Sequence, residues 1–472
     1  MTAMTNRCCT NSYSQLRDTH VKQSGILAVL VLLTSTLSLN AADTLRVGVF
    51  DVDASPPVGS PLAYDPTKGT LIPLSCRGIV IAGVEKPIVL CAVDWIGIGN
   101  AGQTVFRESL AAAAGTDASH VAVHALHQHD APTCDFSTEE LLEKYGLNGK
   151  WSDAGWNRVV VQRAAAAVKQ ALADAQPVTH VGLGSGLIEK VASNRRIQGP
   201  DGKVIHIRWT ATKDPKVAAF PAGTIDPKLK MISFWNGDKA LTALTYYATH
   251  PQSYYRTGLA NPDFPGMARN SRQAATKVPH IHFNGAGGNI GAGKWNDGSK
   301  SNRQVLADRV AAGMKLAWQN TKKSPVSASD IAWNFVPVVL PAGKHMVEKD
   351  LLKILEDESQ TAFVRWFAAK DLIWLRRCQS GDTIDITCLT VKNARVLHMP
   401  GELFVEYQLN AAKLRPDLFV AMAAYGDYAP GYIGTKVAYG QGGYEASDRA
   451  SKVAPEVEGV LMGAVRRLLN VK

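Results

Sequence analysis

The chain has 472 residues, 46% of them apolar, seven cysteines and a formal net charge of +10. That length buries a large core readily, while so few cysteines, none in a C-x-x-C pair, exclude a disulfide scaffold. Basic residues are interleaved with acidic ones, as in Glu348-Lys349-Asp350, and no long Lys/Arg run occurs, so no nucleic-acid partner is expected.

At the start, Arg7, Arg17 and Lys22 precede an uncharged run over 25–39, and Ala41 and Ala42 lead into Asp43. This is the pattern of a signal peptide over residues 1–42, which makes the mature chain secreted or periplasmic. An uncleaved anchor is the competing reading, because Leu39 stands where a small residue is preferred. No later stretch approaches the ~20 apolar residues of a membrane-spanning helix, so no transmembrane segment is expected in the mature chain. Cleavage lowers the formal charge to +8 and leaves Cys76, Cys91, Cys134, Cys378 and Cys388. Of these, Cys378 and Cys388 flank a Gly-Asp turn signal and can pair in an oxidising compartment.

Strand-like runs at 46–51, 78–81, 87–94, 121–127 and 180–187 alternate with Ala-rich helical stretches at 103–114 and 157–175. Further on come a strand pair around Asn236-Gly237, a helix near 303–319 and a helical stretch over 347–377. Without a polar linker between these groups, the expectation is an α/β fold of layered mixed β-sheets flanked by helices, with 43–472 forming one large catalytic domain.

Within 120–130, HVAVHALHQHD, period two places Val121, Val123, Ala125, His127 and His129 on one face, so that a strand ends in two imidazoles. Neutral imidazoles on a stiff backbone are good zinc ligands, although a short H-x-H pair alone is more often a pair of satisfied core or surface histidines. The strand after Asn236-Gly237, KALTALTYYATHP, likewise ends in His250, and His127 and His250 are expected to approach one ion from neighbouring strands. A third candidate ligand, Glu402, follows Pro400-Gly401 and is expected on the first turn of a helix, whose N-terminus favours the ionised carboxylate. Between them, Gly288 to Lys294 spells G-x-x-x-x-G-K, but Trp295 stands where a phosphate loop needs Ser or Thr, and Asn296-Asp297-Gly298 is turn chemistry. The glycines are expected instead to form a wall that lets a substrate come close.

These residues resemble the catalytic domain of the neutral/alkaline non-lysosomal ceramidase family, zinc amidases that cut the N-acyl bond of ceramide. In order along the chain, Gly48-Val49-Phe50-Asp51 resembles the family's entry motif, Leu126-His127-Gln128-His129-Asp130-Ala131-Pro132 its T-H-T-H-S-G-P, Asn194-Arg195 its Asn-Arg, and Ala248-Thr249-His250 its A-T-H. Asp263-Phe264-Pro265-Gly266, Pro400-Gly401-Glu402 and the pair Tyr432 and Tyr444 complete the series. The resemblance implies one zinc per chain held by His127, His250, Glu402 and Tyr432, with His129 and Arg195 nearby and Tyr444 donating to the developing oxyanion. It also implies a small-molecule or lipid-like N-acyl substrate. Zinc with three or four protein ligands keeps a place for water, whose pKa it brings to about 7.

The chain departs from the family pattern at Gly291, which aligns with the serine of the family's G-D-V-S-P-N loop. No extra apolar helix suited to a lipid surface stands out in the sequence. Three functions remain open: a zinc amidase, a zinc hydrolase of esters, and a non-catalytic extracellular binding protein on the same scaffold.

Overall fold

The strands are apolar on both faces. Ile79 and Ile81 leave their strand on one side and Val80 on the other, and all three are fully buried. Such strands need cover on both sides, which a layered fold supplies. In the computed structural model, which describes residues 44–471, three sheets share one core and helices close their outer faces. The leader over 1–42 lies outside the described residues.

The first sheet contains β1 (Arg46–Asp53), β2 (Ser75–Ala82), β3 (Ile88–Val93) and β4 (Val121–Ala125), in the order β4-β3-β2-β1 with Gln176–Pro177 at the edge. Only β3 and β4 run parallel. Helices α1 (Ala101–Ala114) and α2 (Ala154–Ala173) cover one face, packing Phe106, Leu110 and Val161 on Phe50, Val80 and Val123.

The second sheet contains β5 (His180–Leu187), β6 (Lys228–Asn236), β7 (Lys239–Tyr247) and β8 (His280–Asn284), in the order β8-β7-β6-β5 with Lys322–Pro325 outermost. Its outer face packs Met231, Ala243 and Tyr247 against α3 (Asp263–Thr276) and α4 (Lys300–Gln319). The alternate glycines of β5 permit this contact, since a Cβ on Gly184 or Gly186 would fall 2.1 or 2.2 Å from carbonyl oxygens of α4.

The third sheet contains β9 (Ile331–Val338), β10 (Ile384–Val391), β11 (Ala394–His398) and β12 (Phe419–Ala423), side by side in chain order. The expected helical stretch over 347–377 is broken into α5 (Glu348–Glu356) and α6 (Ala362–Ser380), and Thr361 caps the second by accepting from Val364 N. With α7 (Val405–Leu414) and α8 (Val457–Leu468), α6 covers the outer face through Trp374, Leu375, Tyr407, Leu461 and Val465. The inner faces of all three sheets meet where Ile79, Leu90, Phe234, Leu244, Leu389 and Val396 pack together.

Two expectations are corrected here. Glu402 does not open a helix: Glu402–Leu403 pairs in parallel with Tyr432–Ile433, and the helix begins only at Val405. Nor do Cys378 and Cys388 pair; all five cysteines of the described residues are free, Cys378 lying partly buried on α6 and Cys388 buried on β10. Among the described residues no helix is long and apolar enough to cross a membrane.

Candidate active site

One candidate ligand leaves the end of each sheet. His127 follows β4 in the first sheet, His250 follows β7 in the second, and Glu402 follows β11 in the third. The two histidines therefore arrive from different sheets, not from neighbouring strands of one. Strand alternation does not aim His127 either, because β4 ends at Ala125 and His127 turns into the left-handed region with φ of 65°. That turn is held by backbone bonds from Leu126 N to Val93 O at 2.7 Å and from His127 N to Trp95 O at 2.8 Å.

The support beneath this turn is ionic. Arg269 of α3 grips Asp94 with two bonds of 2.6 and 2.8 Å, and Ser75 adds its N–H and hydroxyl to the same carboxylate. Both ions are fully buried, and Asp94 is held below the usual carboxylate range because Arg269 outweighs burial. The Gln128 amide donates to Asp94 O, so the pair is tied directly to the His127–His129 segment.

His127 Nδ1 donates to Ile96 O at 2.6 Å, and its Nε2 faces Glu402 Oε2 at 3.2 Å. His129 Nε2 lies 2.8 Å from His250 Nε2, and His129 Nδ1 accepts from Gln252 at 3.1 Å beside the Tyr64 hydroxyl at 2.7 Å. His250 Nδ1 is 3.8 Å from Glu402 Oε2. The three imidazoles place ring nitrogens within 4.8 Å of one another, so His129 joins a cluster from which the family pattern sets it apart.

Across from the histidines, Glu402 and Tyr432 stand in register on their two short strands. The Arg195 guanidinium donates to Tyr432 Oη at 2.9 Å and pairs with Glu445 at 3.1 Å. The Tyr444 ring centroid lies 5.8 Å from that of Tyr432. His127, His129, Arg195, Glu402, Tyr432 and Tyr444 all line one cavity of about 430 Å³, with His250 buried just beneath.

His127 Nε2, His250 Nδ1 and Glu402 Oε2 are buried and make no hydrogen bond. An orphaned polar atom costs ~1–3 kcal/mol, and three of them converging on one point fit a cation held among them. Imidazole, carboxylate and phenol donors match the ligand preferences of zinc and its neighbours. Burial, and then the adjacent imidazoles and Arg195, push His129 and His250 well below the ordinary histidine pKa, which keeps their lone pairs available. Burial alone would raise Glu402, but His127, Tyr432 and Arg195 outweigh it and hold the carboxyl below its ordinary value. The Tyr432 and Tyr444 phenols are raised, chiefly by burial.

Sequence reasoning missed several residues that line this cavity or stand behind it. Tyr425 stacks on His127 at 4.5 Å, Tyr428 lies 5.4 Å from it, and Tyr64 touches His129. Glu445 is the fully buried anchor of Arg195. At the mouth, Phe363, Trp366 and Phe367 of α6 form an aromatic cluster with Trp151. Their i, i+3, i+4 spacing was a readable signal of a shared helix face. The expected glycine wall is absent from the cavity lining: a Cβ on Gly288 would lie 2.1 Å from Glu402 O and one on Gly287 2.4 Å from Thr249 O. This loop buttresses the ligand-bearing segments from behind. Lys294 donates to the Ala218 and Phe220 carbonyls, in keeping with the rejection of a phosphate loop.

The fold occurs among solved structures. The crystal structure of neutral ceramidase from Pseudomonas aeruginosa is similar with a TM-score of 0.66 and 18% identity, over 91% of this chain and 75% of that one. A structure of ceramidase complexed with C2 is similar with a TM-score of 0.66 and 16% identity, over 91% of this chain and 76% of the other. The likeness is one of fold. No protein-family model matches the chain, and no curated protein does.

Proposed function

We propose that this chain is a metal-dependent amide hydrolase acting on N-acyl substrates, with one zinc ion held by His127, His250, Glu402 and Tyr432. The observation that carries this reading is the set of orphaned donor atoms on His127, His250 and Glu402 at the floor of the cavity. Likeness of fold to ceramidases supports an amide as the bond cleaved. Bound there, the ion would polarise the scissile carbonyl and acidify water.

The residues around it divide the remaining work. Ile96 O fixes the His127 tautomer, and Arg195, anchored by Glu445, orients the Tyr432 phenol. Tyr444, whose hydroxyl makes no hydrogen bond within the described residues, donates to the oxyanion that forms on the carbonyl, as does Arg195. His129, between Tyr64 and His250, would take up the proton released by the attacking water and pass it to the departing amine. The aromatic group of Trp151, Phe363, Trp366 and Phe367 receives the apolar acyl part.

Residues 43–472 act as the catalytic domain in this reading, exported after removal of residues 1–42. N-terminal sequencing of exported protein is expected to begin at Asp43, and a start at Met1 or Met4 would contradict it. The function is tested by elemental analysis and a panel of N-acyl amides and esters, comparing the purified protein with His127→Ala. Wild type is expected to carry about one zinc and to cleave amides. If no substrate separates wild type from His127→Ala, the non-catalytic binding reading replaces this one.

A further inference from the structure

The wall of the cavity away from the metal donors carries positive charge that the proposed hydrolysis does not use. Lys370 of α6 is half-buried there, with Nζ 4.5 Å from the centroid of the Tyr428 ring. Among the described residues it forms no ion pair or hydrogen bond. Arg449, exposed at the same wall, is also without an ion pair among them. Lys452 completes the group, its Nζ positioned by Asp371 at 2.7 Å and by Asp448 O at 3.0 Å. Asp371 and Glu445 balance Lys452 and Arg195 from behind the lining, so Lys370 and Arg449 are the two lining cations without an ion pair among the described residues.

A neutral amide needs none of this. An ammonium that is half removed from water and unpaired gains strongly when an anion reaches it, and charged hydrogen bonds are among the stronger ones. We infer that Lys370, Lys452 and Arg449 form a subsite for an oxyanion carried by the amine half of the substrate, so that the preferred substrates are N-acyl amino acids or their phospho-analogues and not neutral amides. This rests on the amidase reading of the same cavity. Geometry favours an anion close to the scissile bond. Tyr428 separates Lys370 from His127, its ring 5.4 Å from the imidazole, and a carboxylate on the carbon next to the amide nitrogen bridges such a span. Trp366 and Phe367 lie one turn before Lys370 on α6 and therefore share its side of the helix. One helix thus offers an apolar surface to the acyl chain and a cation to the other end of the molecule.

The test uses N-dodecanoylglycine, its uncharged counterpart N-dodecanoylglycinamide, and the N-dodecanoyl derivative of aminomethylphosphonate. Both kcat/KM and Kd are measured for the full mature protein, the latter from quenching of tryptophan fluorescence with a chelator present, since Trp151, Trp209 and Trp366 line the cavity. Wild type is expected to favour the glycine compound over the glycinamide by about 10- to 100-fold. Lys370→Met should bring that ratio close to one, and Arg449→Ala, at an exposed position that the fold tolerates, should lower it in part. A wild-type ratio near one, or a ratio unmoved by both variants, overturns the proposal. Preference for the phosphonate over the glycine compound supports the subsite and assigns it to phosphorylated amines. If nothing is cleaved but the charge preference in Kd persists, the subsite stands and the hydrolase reading falls; cleavage without any charge preference has the opposite meaning.

Discussion

At the floor of the cavity, His127, His250 and Glu402 sit on short segments that leave three different sheets, those of His127 and Glu402 tied by backbone bonds and the former also by a buried ion pair. At the mouth, Trp151, Phe363, Trp366 and Lys370 come from a loop and one helix and meet the rest through side-chain packing. A floor built this way fixes atoms to within the fractions of an ångström that metal ligation and transition-state contacts demand. The mouth needs only complementary shape and charge, so it tolerates replacement and sets which substrate enters. Mutations at the floor are therefore expected to abolish metal binding or turnover, and mutations at the mouth to change ratios between substrates.

The largest effect is expected from the donors. His127→Ala and Glu402→Gln should each reduce metal content and turnover well beyond the ~10- to 100-fold typical of changes around a metal's supporting residues. Elemental analysis that finds wild type and both variants equally metal-free would falsify the donor assignment. Next comes the ion pair under the His127 turn. Arg269→Met leaves Asp94 buried and unpaired, which typically costs ~3–5 kcal/mol, and denaturant unfolding of the two proteins measures it. An unchanged unfolding midpoint would mean that Asp94 is protonated in the folded state and that the pair does not hold the floor.

The contrast between floor and mouth also explains what the sequence disclosed. His127 and His250 were legible because β4 and β7 are apolar runs that stop just before a histidine, a signal confined to a dozen neighbouring residues. The layered α/β class followed from similar local patterns. Glu402 was found, yet its setting was misread: what places it is pairing with Tyr432, thirty positions away in the chain, and no local pattern encodes that contact. For the same reason the stacking of Trp151 on Trp366 and the approach of Lys370 to Tyr428 were invisible until the chain was folded. The family pattern covers the floor and is silent on the mouth.

The oxyanion donor ranks third. Tyr444→Phe should lower turnover by ~100-fold or more while metal content stays at the wild-type level. If Tyr444→Phe matches wild type on a substrate that His127→Ala cannot cleave, the phenol only packs against Trp209 and Tyr432. A smaller effect concerns pH, in the layer behind the floor. Burial lowers His124 to about 4 and His282 to about 3. In the unfolded chain these groups take up protons below about 6.5, whereas in the folded protein they do not, so stability falls as pH drops from about 6.5 toward 4. Melting temperatures across that window should decline, and less steeply in His124→Gln than in wild type. A parallel decline in both would remove His124 from the explanation.

The smallest effect is expected at Gly291, where the family pattern has a serine. Gly291 pairs with Ser193 in a two-residue ladder, and Ser193 Oγ donates to its carbonyl at 2.9 Å. A Cβ added there would meet the Arg195 side chain at 3.6 and 3.7 Å, ordinary contact distances, so Gly291→Ser fits without moving the floor. Stability should change by less than ~1 kcal/mol, because the site is already extended and a side chain there reduces the freedom of the unfolded chain. The new hydroxyl would lie beside Arg195, which already contacts Tyr432 and Glu445. With Tyr444 and Arg195 in place as oxyanion donors, kcat/KM on the preferred amide should shift only a few-fold, far less than the loss in Tyr444→Phe. A gain of ~100-fold or more would reverse the assignment: the missing hydroxyl would then be the limiting contact in the transition state, and the floor of this chain would be incomplete at Gly291.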